Sequence, residues 1–178
     1  EGASAIAQSF REKKYISTDS VSTIADGIAV KSPGDITVEL INRYADDVVT
    51  VNDNEISEAI LLLMERCKQI VEPSGATPVA AVLKGKVDVN GKKVVCLLSG
   101  GNIDVSFIQC IIAQGLVARN RRLRFTVTLL DKPGSLVKLL NDIAAQGANI
   151  LTVEHDRLSA GLNPNQTNVH IACEVGGK

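Results

Sequence analysis

The chain has 178 residues and a formal net charge of -1, with 45% apolar and 22% charged residues. That balance supplies material for a sizeable core, excludes a disordered polymer and gives no global electrostatic pull toward nucleic acid or anionic lipid. Only 3% of the residues are aromatic and none is Trp, so the core has to be built from Val, Ile, Leu and Ala.

The basic cluster Arg119, Arg121, Arg122 and Arg124 is short, lacks aromatic partners for stacking bases, and reads as a solvated linker. The cysteines Cys67, Cys96, Cys110 and Cys173 form no Cys-x-x-Cys pair, and three sit in apolar runs. Buried free thiols of a cytoplasmic protein are expected, not a disulfide framework or zinc site. No apolar run is long enough to span a membrane, and the opening residues are not expected to be a secretory leader. Glu1-Gly2-Ala3-Ser4 reads as the middle of something longer.

In chain order, residues 4–13 form an amphipathic helix with Ile6, Ala7 and Phe10 on one face. Pro33-Gly34-Asp35 starts a helix running to about Tyr44, with proline in its first turn and aspartate at its positive end. Asp47 to Val51 is a brief strand. Asn52 caps the next helix, and Glu55 three residues on completes a capping-box pair. Ile56, Ile60, Leu63, Cys67 and Ile70 recur at helical spacing until Pro73. A further helix spans about Gly75 to Leu83. Lys93 to Leu98 is a continuous apolar strand, the pattern of a parallel sheet covered on both faces. It ends in Ser99-Gly100-Gly101-Asn102 and enters a helix from Asp104 to Gln114, closed by Gly115.

The pattern changes after Arg122. Leu123, Phe125, Val127 and Leu129 alternate along a half-buried strand ending at Leu130. Asp131-Lys132-Pro133-Gly134-Ser135 is a turn ending in a helix cap. The helix carries Leu136, Leu139, Leu140 and Ile143, and Gly147 closes it. Strands follow at Ile150 to Leu158 and Thr167 to Val175. The order β-α-β-β is three quarters of a ferredoxin-like βαββαβ unit. The boundary is placed within Val117 to Arg121, giving units 1–118 and 122–178 joined by linker 119–121.

The strongest local signal for chemistry is Leu98-Ser99-Gly100-Gly101-Asn102, at the carboxyl end of a strand where α/β sheets bind ligands. Two glycines let backbone approach a planar ring or phosphate, and a helix amino terminus favours anions. The same glycines would also serve a tight strand-to-helix turn with no ligand. His155 and His170 lack a Cys or carboxylate cluster at ligand spacing beyond Asp156, and read as satisfied or surface histidines.

Four ordered blocks are more specific than any one of them. Thr23-Ile24-Ala25-Asp26-Gly27, Asp46-Asp47-Val48-Val49-Thr50-Val51, Val71-Glu72-Pro73-Ser74-Gly75-Ala76 and Leu97-Leu98-Ser99-Gly100-Gly101-Asn102 resemble the serine/threonine dehydratase family. Asp131-Lys132-Pro133-Gly134-Ser135-Leu136 and Gly147-Ala148-Asn149-Ile150 resemble the ACT domain of its single-ACT members. The resemblance implies an α/β fold. A carboxyl-terminal part of a fold-type II pyridoxal-phosphate domain, with a parallel sheet flanked by helices, precedes an incomplete ferredoxin-like (α+β) ACT domain. It implies removal of water and then ammonia from L-threonine, giving 2-oxobutanoate, with the same done to serine.

By the same resemblance Ser99 bonds the pyridine nitrogen of pyridoxal phosphate, and Gly100, Gly27 and Glu72 lie at the cofactor. A turn glycine and a helix-terminal carboxylate are the structural readings of the last two. Glu1 and Ala5 match two members of a cation site, but Ala7 stands where an acidic side chain often does, which puts that site in doubt. The Schiff-base lysine and glycine-rich phosphate loop of the family have no counterpart here, so no catalytic residue is assigned and the chain alone is expected neither to hold the cofactor well nor to catalyse.

Family effectors, commonly amino acids, bind between paired ACT units. The matching positions are Asp131, Gly134, Ser135 and Leu136, with Asn149 and Ile150 facing them. Turn and strand-entry roles are the structural readings of these residues. A homo-oligomer is implied, with amino-acid substrate and effector and no nucleic acid or membrane partner. A competing reading is a non-catalytic amino-acid-binding module with the α/β part as scaffold. The last strand of the ferredoxin-like order would flank the first, so Leu123 to Leu130 is expected to present an open edge.

Overall fold

The structure is a computed structural model and describes residues 1–176. The chain divides into two compact units, Glu1–Ile111 and Ile112–Lys178. The division falls inside helix α5 (Val105–Ala118), upstream of the 119–121 linker read from the sequence. Gly177 and Lys178, the last positions of the expected second unit, lie outside the described residues.

The first unit is helical. Helix α1 (Ala5–Glu12) buries Ala5 and Ala7, while Ile6 and Phe10 are only half-buried. Helix α2 (Asp35–Tyr44) begins after Gly34, so Pro33 stands ahead of the cap and not in the first turn. Helix α3 (Asp53–Leu62) opens on the expected capping box. Asn52 Oδ1 accepts the Glu55 N–H at 3.0 Å, and Glu55 Oε2 accepts the Asn52 N–H at 2.8 Å. Such a cap contributes about 1 kcal/mol.

The apolar stripe does not carry α3 to Pro73. The helix widens into a π turn, Leu63–Cys67, and stops where Lys68 turns left-handed at φ 58°. Ile70 is consequently exposed. Pro73 instead opens helix α4 (Pro73–Leu83), where its missing N–H needs no partner. Helices α3 and α4 pack together, and Ala59, Ile60, Ala76 and Ala80 along them are fully buried. Small side chains let the two backbones approach. Helix α4 also packs on a short 3-10 turn, Asp26–Ile28.

Neither expected strand of this unit forms. Residues 47–51 and 93–98 carry no ladder, and among the described residues of Glu1–Ile111 there is no strand and no parallel sheet. Val95 and Leu97 are 94% and 73% exposed. A strand exists only by pairing, and these residues supply no neighbour for it. Helix α5 starts at Val105 with Asp104 just ahead, its Oδ1 accepting both the N–H and the hydroxyl of Ser106 at 2.7 Å. It runs through Gly115, which does not terminate it.

The second unit is β-α-β-β, as the periodicity indicates. Strands β1 (Arg122–Leu130), β2 (Asn149–Asp156) and β3 (Gln166–Glu174) form one sheet in the order β1-β3-β2. Both outer strands are antiparallel to β3, with Arg122 and Asn149 each opposite Glu174. Thr167, Val169, Ile171 and Cys173 alternate along β3 and are buried on one face. Helix α6 (Ser135–Ala145) packs on β1 and β2. Ser135 is its first helical residue and not its cap. That place belongs to Gly134, whose φ of 89° suits a residue without Cβ. Strand β1 pairs on one side only, so its other edge is open among the described residues.

The cysteine expectation needs correction. All four are free, but Cys67 and Cys110 are exposed, Cys96 is half-buried and only Cys173 is buried. Cys67 lies in the π turn that leaves the core early, and α5 buries Ile111 while its neighbour Cys110 points away.

Candidate functional site

Three stretches far apart in sequence meet at the start of α4. Glu72, immediately before Pro73, donates its N–H to the Gly100 carbonyl at 3.1 Å. Its carboxylate Oε2 accepts the Asn102 N–H at 3.0 Å. Gly75, in the first turn of α4, faces the same loop: a Cβ there would stand 3.1 Å from the Gly100 nitrogen and 3.2 Å from that of Ser99. The 3-10 turn brings in Gly27, where a Cβ would lie 2.9 Å from Ser74 Oγ and 3.5 Å from Glu72 Oε1. Gly27, Glu72, Ser99 and Gly100, all singled out in the sequence, are therefore brought together.

Ser74, Gly75 and Asn102 belong to the same cluster and were not assigned from the sequence. Their signal was a Glu-Pro followed by small residues, which marks a helix start that another backbone can approach. Ser74 is 7% exposed, and its hydroxyl has no hydrogen-bond partner among the described residues. An orphaned buried hydroxyl costs about 1–3 kcal/mol. Ser99 is exposed, with its hydroxyl uncommitted among the described residues. Beside the cluster is an open cavity of about 210 Å³ lined by Ile24, Asp26, Pro73, Asn102, Asp104 and Phe107, among others. The cluster thus packs Ser74 against Gly27 and the Glu72 carboxylate against Gly100, and leaves Ser99 exposed beside them.

The remaining candidates are placed differently. Glu1 Oε1 lies 3.9 Å from the Lys86 ammonium, which also meets Glu55 Oε1 at 3.2 Å, and Ala5 is fully buried in the first turn of α1. No group of three His, Cys, Asp or Glu gathers as a metal site among the described residues. His170 Nδ1 pairs with Thr126 Oγ1 at 2.8 Å, its Nε2 stands 4.0 Å from Asp156, and His155 is exposed. Asp156 also accepts from the Ser159 hydroxyl and the Leu158 N–H, which hold its carboxyl below the usual range.

Asp131 is gripped by Arg157, Nε to Oδ2 at 2.6 Å and Nη2 to Oδ1 at 3.0 Å, and this holds its carboxyl below the ordinary carboxylate value. The Ser135 N–H already donates to the Lys132 carbonyl at 3.3 Å. The Leu136 N–H has no acceptor within the helix, as in any first turn. Asn149 and Ile150 are not beside these groups. Strands β1 and β2 run the same way on either side of β3, so Asn149 shares a row with Arg122 at one end while Leu130, next to Asp131, pairs with Gln166 at the other. One copy of the unit keeps the two halves of the expected effector site apart.

Residues 1–100 match the sequence signature of the family described as pyridoxal-phosphate dependent enzyme. The chain belongs to that family. An L-threonine ammonia-lyase of Thermotoga maritima is 52% identical over 135 residues, 76% of this chain and 33% of that protein. An L-threonine ammonia-lyase of Geobacter sulfurreducens is 44% identical over 169 residues, 95% of this chain and 42% of that protein. Maize serine racemase is a structural neighbour with a TM-score of 0.57 and 33% identity, covering 67% of this chain and 38% of the racemase chain. This pyridoxal-phosphate family chain thus spans about a third to two fifths of the length of the relatives it matches. No helix among its described residues is long and apolar enough to cross a membrane.

Proposed function

We propose that the chain forms one wall of the cofactor site of a threonine ammonia-lyase and continues into an amino-acid-sensing unit. The observation that carries this reading is the 44% identity to the Geobacter enzyme over 95% of the chain, because such a span takes in both units. The site supports it. Gly27 and Gly100 lie in the cluster with Glu72, and Ser99, next to Gly100, is exposed.

Pyridoxal phosphate, when bound, draws electrons from the α-carbon of an amino acid so that a β-hydroxyl can leave. Ser99 would bond the pyridine nitrogen. A neutral hydroxyl does not protonate that nitrogen as a carboxylic acid would, so the electron demand stays moderate and β-elimination is favoured. By the family resemblance Gly100, Gly27 and Glu72 would lie beside the cofactor. No lysine here stands in the Ser-x-Lys context of the family, and no run of four glycines is present. We therefore assign the covalent anchor and phosphate cradle to the remainder of the full-length enzyme, and expect no catalysis from these residues alone.

The finer architecture belongs to the same proposal. Residues 1–118 would complete a fold-type II domain whose parallel sheet recruits residues 93–98 as a strand, and the exposure of Val95 and Leu97 supports this. Residues 122–178 would be an ACT unit after the 119–121 linker, supported by the β1-β3-β2 order. An amino-acid effector would lie between paired copies, using Asp131, Gly134, Ser135 and Leu136 of one and Asn149 and Ile150 of the other. That implies a homo-oligomer.

The test uses a longer polypeptide that includes the preceding part of the relatives' length. With pyridoxal phosphate it should convert L-threonine to 2-oxobutanoate and ammonia, and L-serine to pyruvate and ammonia. Accumulation of D-serine without ammonia would replace the lyase by a racemase. Calorimetric binding of amino acids with no turnover of either substrate would leave a sensor module.

A further inference from the structure

We infer that Glu72 is a positioning residue: its carboxylate pins the Ser99–Asn102 turn through the Asn102 N–H and so fixes where the Ser99 hydroxyl points. The cofactor consequence rests on the proposed lyase reading; the clamp itself rests on geometry alone.

Glu72 holds the turn from both chemical sides. Its own N–H donates to Gly100 O at 3.1 Å, and its carboxylate accepts from Asn102 N at 3.0 Å, two residues further along. Between these bonds the carboxyl group lies across the Gly100 α-carbon. A Cβ on Gly100 would stand 2.5 Å from Glu72 Cδ and 2.5 and 2.6 Å from its two oxygens. Gly75, in the first turn of the same helix, lies against the nitrogens of Ser99 and Gly100. The turn is therefore held by one helix start, at the residues immediately after the exposed Ser99.

The carboxylate is not needed by its own helix. Glu72 stands at the cap of α4 with extended backbone, yet its side chain makes no capping bond. It reaches across 30 residues to Asn102 instead. A carboxylate accepting a backbone N–H makes a charge-assisted bond, stronger than a neutral one. Its loss would free a glycine-rich turn, the backbone with most conformational freedom to regain.

Gly100 supplies an independent handle. The atom a new Cβ would strike is the far end of a flexible side chain, so Gly100→Ala should push the carboxylate aside and leave the backbone in place. It should then mimic removal of Glu72.

Two measurements test this. In the 178-residue chain, amide hydrogen exchange of Asn102 is compared between wild type, Glu72→Ala, Glu72→Gln, Gly100→Ala and the Glu72→Ala/Gly100→Ala double variant, with the Ile56 amide of α3 as folding reference. Glu72→Ala and Gly100→Ala should each speed Asn102 exchange by about tenfold or more, with Ile56 unchanged. The double variant should go no further, and Glu72→Gln, which keeps an acceptor oxygen, should stay within about threefold of wild type. In the longer polypeptide, the affinity for pyridoxal phosphate and its absorbance maximum should follow the same ranking. Unchanged Asn102 exchange in Glu72→Ala, additive effects in the double variant, or Glu72→Gln as damaging as Glu72→Ala would each overturn the clamp. Asn102 exchange in the expected ranking with no cofactor binding by wild type would sink the lyase reading and leave the clamp standing.

Discussion

Asp131 and Arg157 form a two-pronged ion pair that ties the loop after β1 to the residue just past β2. The guanidinium is matched to the carboxylate by two parallel bonds, the geometry that makes arginine a poor exchange for lysine. The pair also occupies the carboxylate that the sequence marks as an effector contact.

Removing the guanidinium should release it. In Arg157→Ala the Asp131 carboxyl should titrate closer to the ordinary aspartate value, as followed by side-chain NMR against pH. Because Asp131 is depressed in the folded state by the Arg157 bond, its contribution to stability is present above the unfolded value and lost as pH falls through the lower folded one. The variant should therefore show a shallower acid loss of stability. An unchanged Asp131 titration would show that the ion pair does not form in solution.

The Asn52–Glu55 box should behave as a local unit. Asn52→Ala should cost about 1 kcal/mol in denaturant unfolding, since it strips an acceptor from the first turn of α3. Glu55 sits below its ordinary 4.5, chiefly through the Asn52 N–H and then through Lys86. Its stabilising effect is thus full above that value and disappears as pH drops through the lower folded one. Glu55→Gln should flatten that acidic part of the stability profile. A profile identical to wild type would remove Glu55 from the linkage.

Val95 separates the chain from the longer polypeptide. At 94% exposure, Val95→Asp should change the chain's stability by less than about 0.5 kcal/mol, as surface substitutions do. In the longer polypeptide the same change would bury a charge in the proposed sheet, and soluble, cofactor-loaded protein should fall sharply. Full yield there would mean that residues 93–98 are not an inner strand.

Thiol accessibility should divide the cysteines. A maleimide followed by peptide mass analysis should label Cys67 and Cys110 quickly and reach Cys173 only on unfolding, because Cys173 is 2% exposed in β3. Equal labelling of Cys173 and Cys67 in the folded protein would contradict the β3 packing.

Much of the second unit was legible because its signals are local. Alternation from Leu123 to Leu129, the stripe Leu136, Leu139, Leu140, Ile143 and the closing Gly147 each act within a few residues, and β1, α6 and the order of elements follow. The Asn52–Glu55 cap was legible for the same reason: both partners lie in one helical turn. Residues 93–98 form no ladder in this chain, because an apolar run records a preference for burial and cannot itself supply the neighbouring strands that would provide it. Ile70 and Pro73 failed differently. The stripe continued past the point where Lys68 turns the backbone, and proline, which can end one helix, can equally begin the next.

The sequence by itself singled out Gly27, Glu72, Ser99 and Gly100, which stand in motifs that resemble one family and prove to be neighbours. Only the tertiary structure decided what two of the carboxylates do. Glu72 meets Asn102 across 30 residues and Asp131 meets Arg157 across 26, and a bond between partners so far apart leaves no periodic mark in the chain. It decided too that Asp131 and Asn149 lie at opposite ends of one sheet. Placing β3 between β1 and β2 makes the outer strands run parallel, and strand order is a property of pairing that neither strand's own residues encode.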